Sequence, residues 1–243
     1  MSYNALLNKL EVLGLEESRN HLDRILNESG LDNSLFIEKL NELFDAEIKY
    51  RDERAKSMNV RIANFPALKK IEDFDFSFQP TLDKNKIMDL RTLRFIEKKE
   101  NVIYQGFSGT GKTHLAIALG VEAASKRIST YYINCHQLIL NLKKAKEENK
   151  LEQKLKFYTK YKLLLIDEVG FLPIDKEGAY LFFQLISRRY ETRSTIVTTN
   201  IQFSQWGELF SDGVLASAIL DRLLHHSHII RIEGESYRLK DKL

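Results

Sequence analysis

The sequence predicts an α/β fold: a five-stranded parallel sheet between helices, preceded by a small all-helical domain. Three observations carry that prediction. The stretch Gly106-Phe107-Ser108-Gly109-Thr110-Gly111-Lys112-Thr113 fits the phosphate-cradling pattern of a glycine, four intervening residues and Gly-Lys-Thr. Short apolar or β-branched runs alternate with segments of helical spacing from that stretch onward, which implies a parallel sheet covered on both faces. Before it, residues 1–64 show helical spacing alone.

In chain order, Leu6, Leu7, Leu10 and Leu13, then Leu22, Ile25 and Leu26, recur at helical intervals. Gly30 reads as a stop and Asp32-Asn33-Ser34 as a cap cluster for the next helix. That helix places Phe36, Leu40, Leu43, Phe44 and Ile48 on one face and turns basic at Lys49, Arg51, Arg54, Lys56 and Arg61. The basic end is either a solvated helix face or part of a module that contacts a partner or DNA. Between Pro66 and Pro80, Phe74, Phe76 and Phe78 alternate with polar residues, so residues 65–80 read as an extended linker. The second domain is then 81–243, opening with one helix over 84–97 that carries Ile87, Leu90, Leu93 and Ile96.

Residues 101–105 form the strand before the phosphate loop, and a helix over 114–127 follows it. Gly106, Gly109 and Gly111 let the backbone turn tightly and approach a polyphosphate. The loop N–H groups and the helix N-terminus face the anion. Lys112 reaches the β- and γ-phosphates and Thr113 offers a hydroxyl to Mg²⁺. Ser108, Thr110 and His114 complete the expected ATP-contacting set. Further strands are read at 130–134, 163–166, 194–199 and 228–232, with a helix over 178–190. Ligands of such sheets sit at the carboxyl ends of the strands, where the chemical residues fall.

Composition bounds the rest. The chain has 243 residues, 43% of them hydrophobic, enough for a sizeable core. The formal charge of +3 says little about partners. The single cysteine, Cys135, excludes an internal disulfide and fits a reducing, cytoplasmic location; it ends an apolar strand and reads as buried packing. No run approaches a membrane span, and Met1-Ser2-Tyr3-Asn4 lacks the order of a signal peptide.

Asp167-Glu168 follows four apolar residues at a strand end. There one carboxylate can hold Mg²⁺ and the other can polarise a water for attack on a γ-phosphate; an acidic helix cap is the alternative. Asn200 ends the fourth strand, where its amide can bond the γ-phosphate or the water, or simply form a turn. Arg222 lies in the short helical stretch Ile219–Leu224 after Ser217. It is either a surface arginine beside Asp221 or one presented to a neighbouring subunit's phosphate. His225, His226 and His228 lack further ligands at metal-binding spacing and read as packing or turn residues. Trp206, the only tryptophan, reads as core or interface packing. Between the second and third strands lies a lysine-rich helix pair, with Lys143, Lys144 and Lys146 interleaved with few acids and followed by Tyr158 and Tyr161. It suits sequence-independent contact with DNA phosphates, or is a solvated face.

Gly106–Thr113, Leu163–Glu168, Asn200 and Ile219–Leu224 together resemble an AAA+ ATPase of the initiator and helicase-loader branch. The stretches 187–191, 203–208, 220–226 and 234–238 narrow the resemblance to the IstB helper ATPases of insertion sequences. It covers most of residues 66–243; the N-terminal part is similar more in length and character. The resemblance implies roles residue by residue. Lys112 and Thr113 are the phosphate-loop pair. Asp167 and Glu168 are the metal and water-activating acids, and Asn200 is the first sensor. Arg222 is the finger that enters a neighbour's site, and Arg238 stands where helicase loaders have a second sensor. With the sequence ending at Leu243, no separate helical lid is expected. The lysine insertion falls where initiator-branch proteins keep a DNA-contacting helix. The resemblance further implies an ATP-dependent homo-oligomer on double-stranded DNA that presents the DNA to a partner transposase. The alternative is a DnaC-type replicative helicase loader. A small-molecule kinase is disfavoured by a late arginine of this kind, and a non-hydrolysing adaptor by Glu168.

Overall fold

The computed structural model describes residues 3–28 and 33–240. The chain divides into two compact units, Met1–Met58 and Asn59–Leu243. The first contains α1 (Tyr3–Leu13), α2 (Glu16–Glu28) and most of α3 (Asn33–Ile62). Its small core joins Leu6, Leu10 and Leu22 to Phe36, Ile37, Leu40 and Phe44; Leu43, expected on the same face, is exposed, and Ile37 packs in instead. Gly14, at φ 67, ends α1; its N–H donates to the Glu11 carbonyl while that of Leu15 donates to Leu10, a Schellman closure. The expected stop at Gly30 and the cap residue Asp32 lie outside the described residues. The basic end of α3 is partly neutralised by its own acids, with Arg51 on Glu47 and Lys56 on Asp52 one turn earlier. The division falls at Met58, inside α3, whereas the sequence pattern puts it after residue 64.

The second unit takes in the last residues of α3 and continues with turns. Residues 65–80 are not the extended segment that the aromatic alternation implies. Phe74, Phe76 and Gln79 each donate to a carbonyl two or three residues back, and the Asp75 carboxylate accepts from the N–H groups of Ser77 and Phe78. An aspartate that captures the backbone in this way competes with a strand. The expected helix over 84–97 is two helices, α4 (Lys84–Arg91) and α5 (Arg94–Glu97), because Leu93 turns left-handed at φ 66.

The remaining order is β1 (Asn101–Gly106), α6 (Lys112–Ser125), β2 (Thr130–Asn134), α7 (Cys135–Glu147), α8 (Leu151–Thr159), β3 (Leu163–Val169) and α9 (Lys176–Arg189). Then come β4 (Ser194–Thr199), α10 (Trp206–Leu209), α11 (Gly213–Leu224) and β5 (Ser227–Ile232). All pairings are parallel, in the order β2-β3-β4-β1-β5. Strand alternation supplies two cores. Val102, Tyr104, Leu163 and Leu165 pack on Leu115, Leu119 and Ile87. Ile103, Leu164 and Ile166 pack with Leu138, Phe182 and Trp206 on the other side. α11 begins six residues before the stretch read as helical, where the Asp212 carboxylate accepts from the Leu215 N–H. Cys135 is buried at the start of α7, and burial pushes its thiol up to about 12.

Arg189 is buried in this unit, and among the described residues its hydrogen bonds go to carbonyls and a hydroxyl rather than to a carboxylate. Its guanidinium donates to the carbonyls of Tyr158, in the last turn of α8, and Tyr161, just beyond it, and to the Ser194 carbonyl and Thr195 hydroxyl at the start of β4. Burial pulls its pKa down to about 9, which keeps it charged at neutral pH. Among the described residues no helix is long and apolar enough to cross a membrane.

Candidate functional site

The loop after β1 closes over the N-terminus of α6, and Gly111 makes the turn. It caps α6 at φ 97, and a Cβ there would come within 2.4 Å of the Phe74 ring. Because the cap is Gly111, α6 starts at Lys112, two residues earlier than its apolar spacing shows. Gly106 has another purpose than the one its place in the pattern implies. It is the last residue of β1, and a Cβ would meet the Ile232 carbonyl oxygen of β5 at 2.3 Å. Its glycine lets two strands meet, and it does not line the cavity at the loop.

That cavity measures about 480 Å³, within the usual range for small-ligand sites. Its lining runs through Ser108, Gly109, Thr110, Gly111, Lys112, Thr113 and His114 and takes in Glu168, Asn200 and Arg238. The Lys112 ammonium donates to the Phe107 carbonyl at 2.6 Å. Burial lowers its pKa, the Asp167 carboxylate opposes that, and the Arg238 charge adds to it. His114 binds the Lys70 carbonyl through Nε2 at 2.8 Å, so that nitrogen carries the proton. Arg238 lies in the short turn Tyr237–Leu239, which is clipped to the loop by the Tyr237 N–H on the Gly109 carbonyl at 3.0 Å.

Asp167 and Glu168 leave β3 in opposite senses. Asp167 is buried among three hydroxyls. Thr113 and Thr198 donate to Oδ1, the former at 2.9 Å, and Tyr132 donates to Oδ2 at 2.7 Å. Burial, and then the Asp167 charge, push the Tyr132 phenol up, so it remains a donor. Glu168 is exposed to the cavity between two buried neighbours. A bulge turns it out: the β3–β4 register advances three residues on β3 for two on β4, and Glu168 adopts φ 60. A left-handed non-glycine costs on the order of 1 kcal/mol, and such strain clusters at functional sites. The Thr198 hydroxyl braces the bulge by accepting from the Glu168 N–H at 2.9 Å. Glu168 Oε2 accepts from the Asn134 amide at 2.6 Å, while the Asn134 carbonyl oxygen caps α7 through the His136 N–H. The cap fixes which way that amide points.

Tyr132, Asn134 and Thr198 escaped the sequence reading. Asn134 pairs with Asp167 in register, and Tyr132 lies two residues earlier on the same face of β2. Their signal was a polar residue closing an aromatic strand. Only strand order shows that this strand borders the acids.

The other expected residues lie apart. Arg222 of α11 is half-buried and outside the cavity lining. Its Nη1 donates to the Ala218 carbonyl at 2.9 Å, and its guanidinium stands 4.8 Å over the Phe183 ring. Lys143, Lys144 and Lys146 of α7 are all tied to acids. Lys143 meets Asp175 at 2.7 Å and Lys146 meets Glu177 at 2.6 Å, both at the start of α9, and Lys144 reaches Glu148 at 3.9 Å. The hydrogen bond from Lys143 holds the Asp175 carboxyl below its ordinary range.

A parallel sheet ordered β2-β3-β4-β1-β5, with a phosphate loop after β1 and an acid pair on β3, defines an AAA+ P-loop fold of the ATP-binding kind. The chain belongs to the IstB-like ATP-binding protein family, whose model matches residues 5–243. It is 52% identical over 240 residues to the ATP-binding protein of insertion sequence IS232 of Bacillus thuringiensis subsp. berliner, covering 99% of this chain and 96% of that one. It is 45% identical over 210 residues to the corresponding protein of insertion sequence IS5376 of Geobacillus stearothermophilus, covering 86% and 84%. Among solved structures, AMPPCP-bound DnaA from Aquifex aeolicus matches with a TM-score of 0.56 at 21% identity, over 73% of this chain and 54% of that one. DnaI matches at 0.55 and 23% identity, over 69% and 89%. Those two likenesses are of fold.

Proposed function

We propose that the protein hydrolyses ATP with Mg²⁺, assembles as a homo-oligomer on double-stranded DNA and presents that DNA to the transposase of its insertion sequence. The observation that carries the hydrolytic part is the divergence of Asp167 and Glu168: one carboxylate caged, the other turned out into the phosphate-loop cavity. The insertion-sequence names of the relatives support transposition over helicase loading.

The donor set fits the ion. The Thr113 hydroxyl and Asp167 carboxylate, 2.9 Å apart, are hard oxygen ligands of the kind Mg²⁺ takes. The ion would neutralise charge on the β- and γ-phosphates. Lys112 exchanges its Phe107 carbonyl for a phosphate oxygen, whose negative charge opposes the effect of burial on the ammonium. Glu168 keeps Oε2 on Asn134 and offers its other oxygen to a water. As that water adds to the γ-phosphorus its proton passes to Glu168, and the bond to the ADP oxygen breaks. Asn200 and Arg238 orient the γ-phosphate from the cavity wall. Arg222, which the cavity lacks, completes the site of a neighbouring copy. Lys143, Lys144 and Lys146 exchange carboxylates for DNA phosphates.

The test is phosphate release by the full chain with and without duplex DNA, beside Glu168→Gln. The expected result is DNA-stimulated turnover that the variant loses while still binding Mg²⁺ and ATP. Undiminished turnover in the variant removes Glu168 from this role. Failure to retain the transposase on duplex DNA in the presence of ATP overturns the partner.

A further inference from the structure

Where α9 and α11 end, three side chains converge that the nucleotide chemistry leaves unused. Glu191 follows α9 with a left-handed φ of 56, and His225 and His226 follow α11. One ligand atom from each, a carboxylate oxygen and two imidazole nitrogens, lie within 4.8 Å of one another, and all three side chains are exposed. His226 Nε2 stands 3.6 Å from Glu191 Oε1. In a tetrahedral site with metal–ligand bonds of about 2.0–2.1 Å, neighbouring ligand atoms stand about 3.3 Å apart. One edge of such a site is therefore almost at its final length, and rotation of exposed side chains closes the others.

Tyr190 adds a second, independent feature. Its hydroxyl lies 2.7 Å from His225 Nδ1. When Nδ1 donates to that oxygen, the tautomer is set and the Nε2 lone pair is left for a metal, which is the outer-shell arrangement that ligating histidines use. The carbonyl end of α11 favours a cation at the same place. His228, on β5, takes no part, because its Nε2 is held by Glu100, just before β1, at 2.8 Å.

We propose that Glu191, His225 and His226 form a surface site for a zinc-class divalent cation, and that the bound ion staples the end of α9 to the end of α11. Two imidazoles with one carboxylate select Zn²⁺, Cu²⁺ and Ni²⁺ over Mg²⁺, which takes oxygen ligands. The set leaves a position for water or a fourth ligand. Arg222 lies one turn earlier on α11, packed on Phe183 of α9, so the staple spans the helix pair that carries it. The site itself is independent of any role in hydrolysis.

The test is calorimetric titration of the full chain with Zn²⁺, with excess Mg²⁺ and a non-hydrolysable ATP analogue filling the nucleotide site. The wild type is expected to bind one equivalent. Glu191→Ala and His226→Ala are expected to weaken it at least tenfold, and Tyr190→Phe about tenfold, as loss of an outer-shell partner does. A thermal melt separates ligand loss from misfolding: Zn²⁺ raises the wild-type Tm but not that of the Glu191→Ala/His226→Ala double variant, whose ion-free Tm is unchanged. Equal affinity and stoichiometry in the single variants, or an equal Tm shift in the double variant, overturns the proposal.

Discussion

The end of β3 and the outer face of α7 both carry charges in sequence clusters, and the fold treats them in opposite ways. Asp167 is enclosed by the hydroxyls of Thr113, Tyr132 and Thr198, from three different elements, and Glu168 is aimed by a bulge and an amide. Lys143 and Lys146 project from one helix to carboxylates on its neighbour, largely in water. A charge that several elements converge on has one geometry and so can be catalytic. A charge satisfied at the surface contributes about 0–1 kcal/mol and can change partners. Arg222 belongs to neither class. It is half-buried on a carbonyl and an aromatic ring, and among the described residues it makes no ion pair.

The largest expected effect decides to which class Arg222 belongs. Arg222→Ala should bind ATP and lose on the order of a thousandfold in turnover, the range of arginine fingers. Lys112→Ala should lose binding in its own cavity yet still lend a sound Arg222. Mixing the two should recover part of the turnover, with DNA required where it templates assembly. Full phosphate release by Arg222→Ala alone would place it with the surface charges. Next comes Glu168→Gln, expected to slow hydrolysis roughly a hundredfold or more with Mg²⁺–ATP binding intact, since a positioned base contributes about that much.

Tyr132→Phe sharpens the contrast from within the cage. Removing one donor to Asp167 should weaken Mg²⁺ dependence by roughly tenfold, read as the metal concentration for half-maximal turnover. An unchanged value would mean that Thr113 and Thr198 suffice. The smallest effect is expected on α7. Lys143, Lys144 and Lys146 replaced together by Gln should lower the log–log salt slope of duplex binding by roughly one unit per lost phosphate contact, equally across sequences. Their loss from Asp175, Glu177 and Glu148 should leave Tm nearly unmoved. An unaltered slope would show that Lys143 and Lys146 only tie α7 to α9, and that Lys144 only pairs with Glu148 at the end of its own helix.

What the sequence made legible follows the same line. β2 and β4 fall where the β-branched and aromatic runs place them, and the phosphate loop is carried by its own residues. The break at Leu93 was invisible because leucine is a good helix former, while its left-handed φ belongs to a buried residue of the folded chain. The Phe74–Phe78 alternation misled because Asp75 binds the backbone that a strand would use. Lysines could be counted, but not the acids that meet them from another helix. Tyr132 and Asn134 stayed hidden because adjacency of β2 to β3 is a tertiary fact.

Arg189 gives the second unit a mechanical property. Its guanidinium grips the carbonyls of Tyr158 and Tyr161 with one end and the first residues of β4 with the other. A strand is already close to full extension and cannot stretch along its axis. β4 therefore acts as a strut of roughly 20 Å, with the lysine-bearing excursion bolted to one end and Asn200 standing at the other. A load applied to α8 is carried by the same strand that forms a wall of the phosphate cavity.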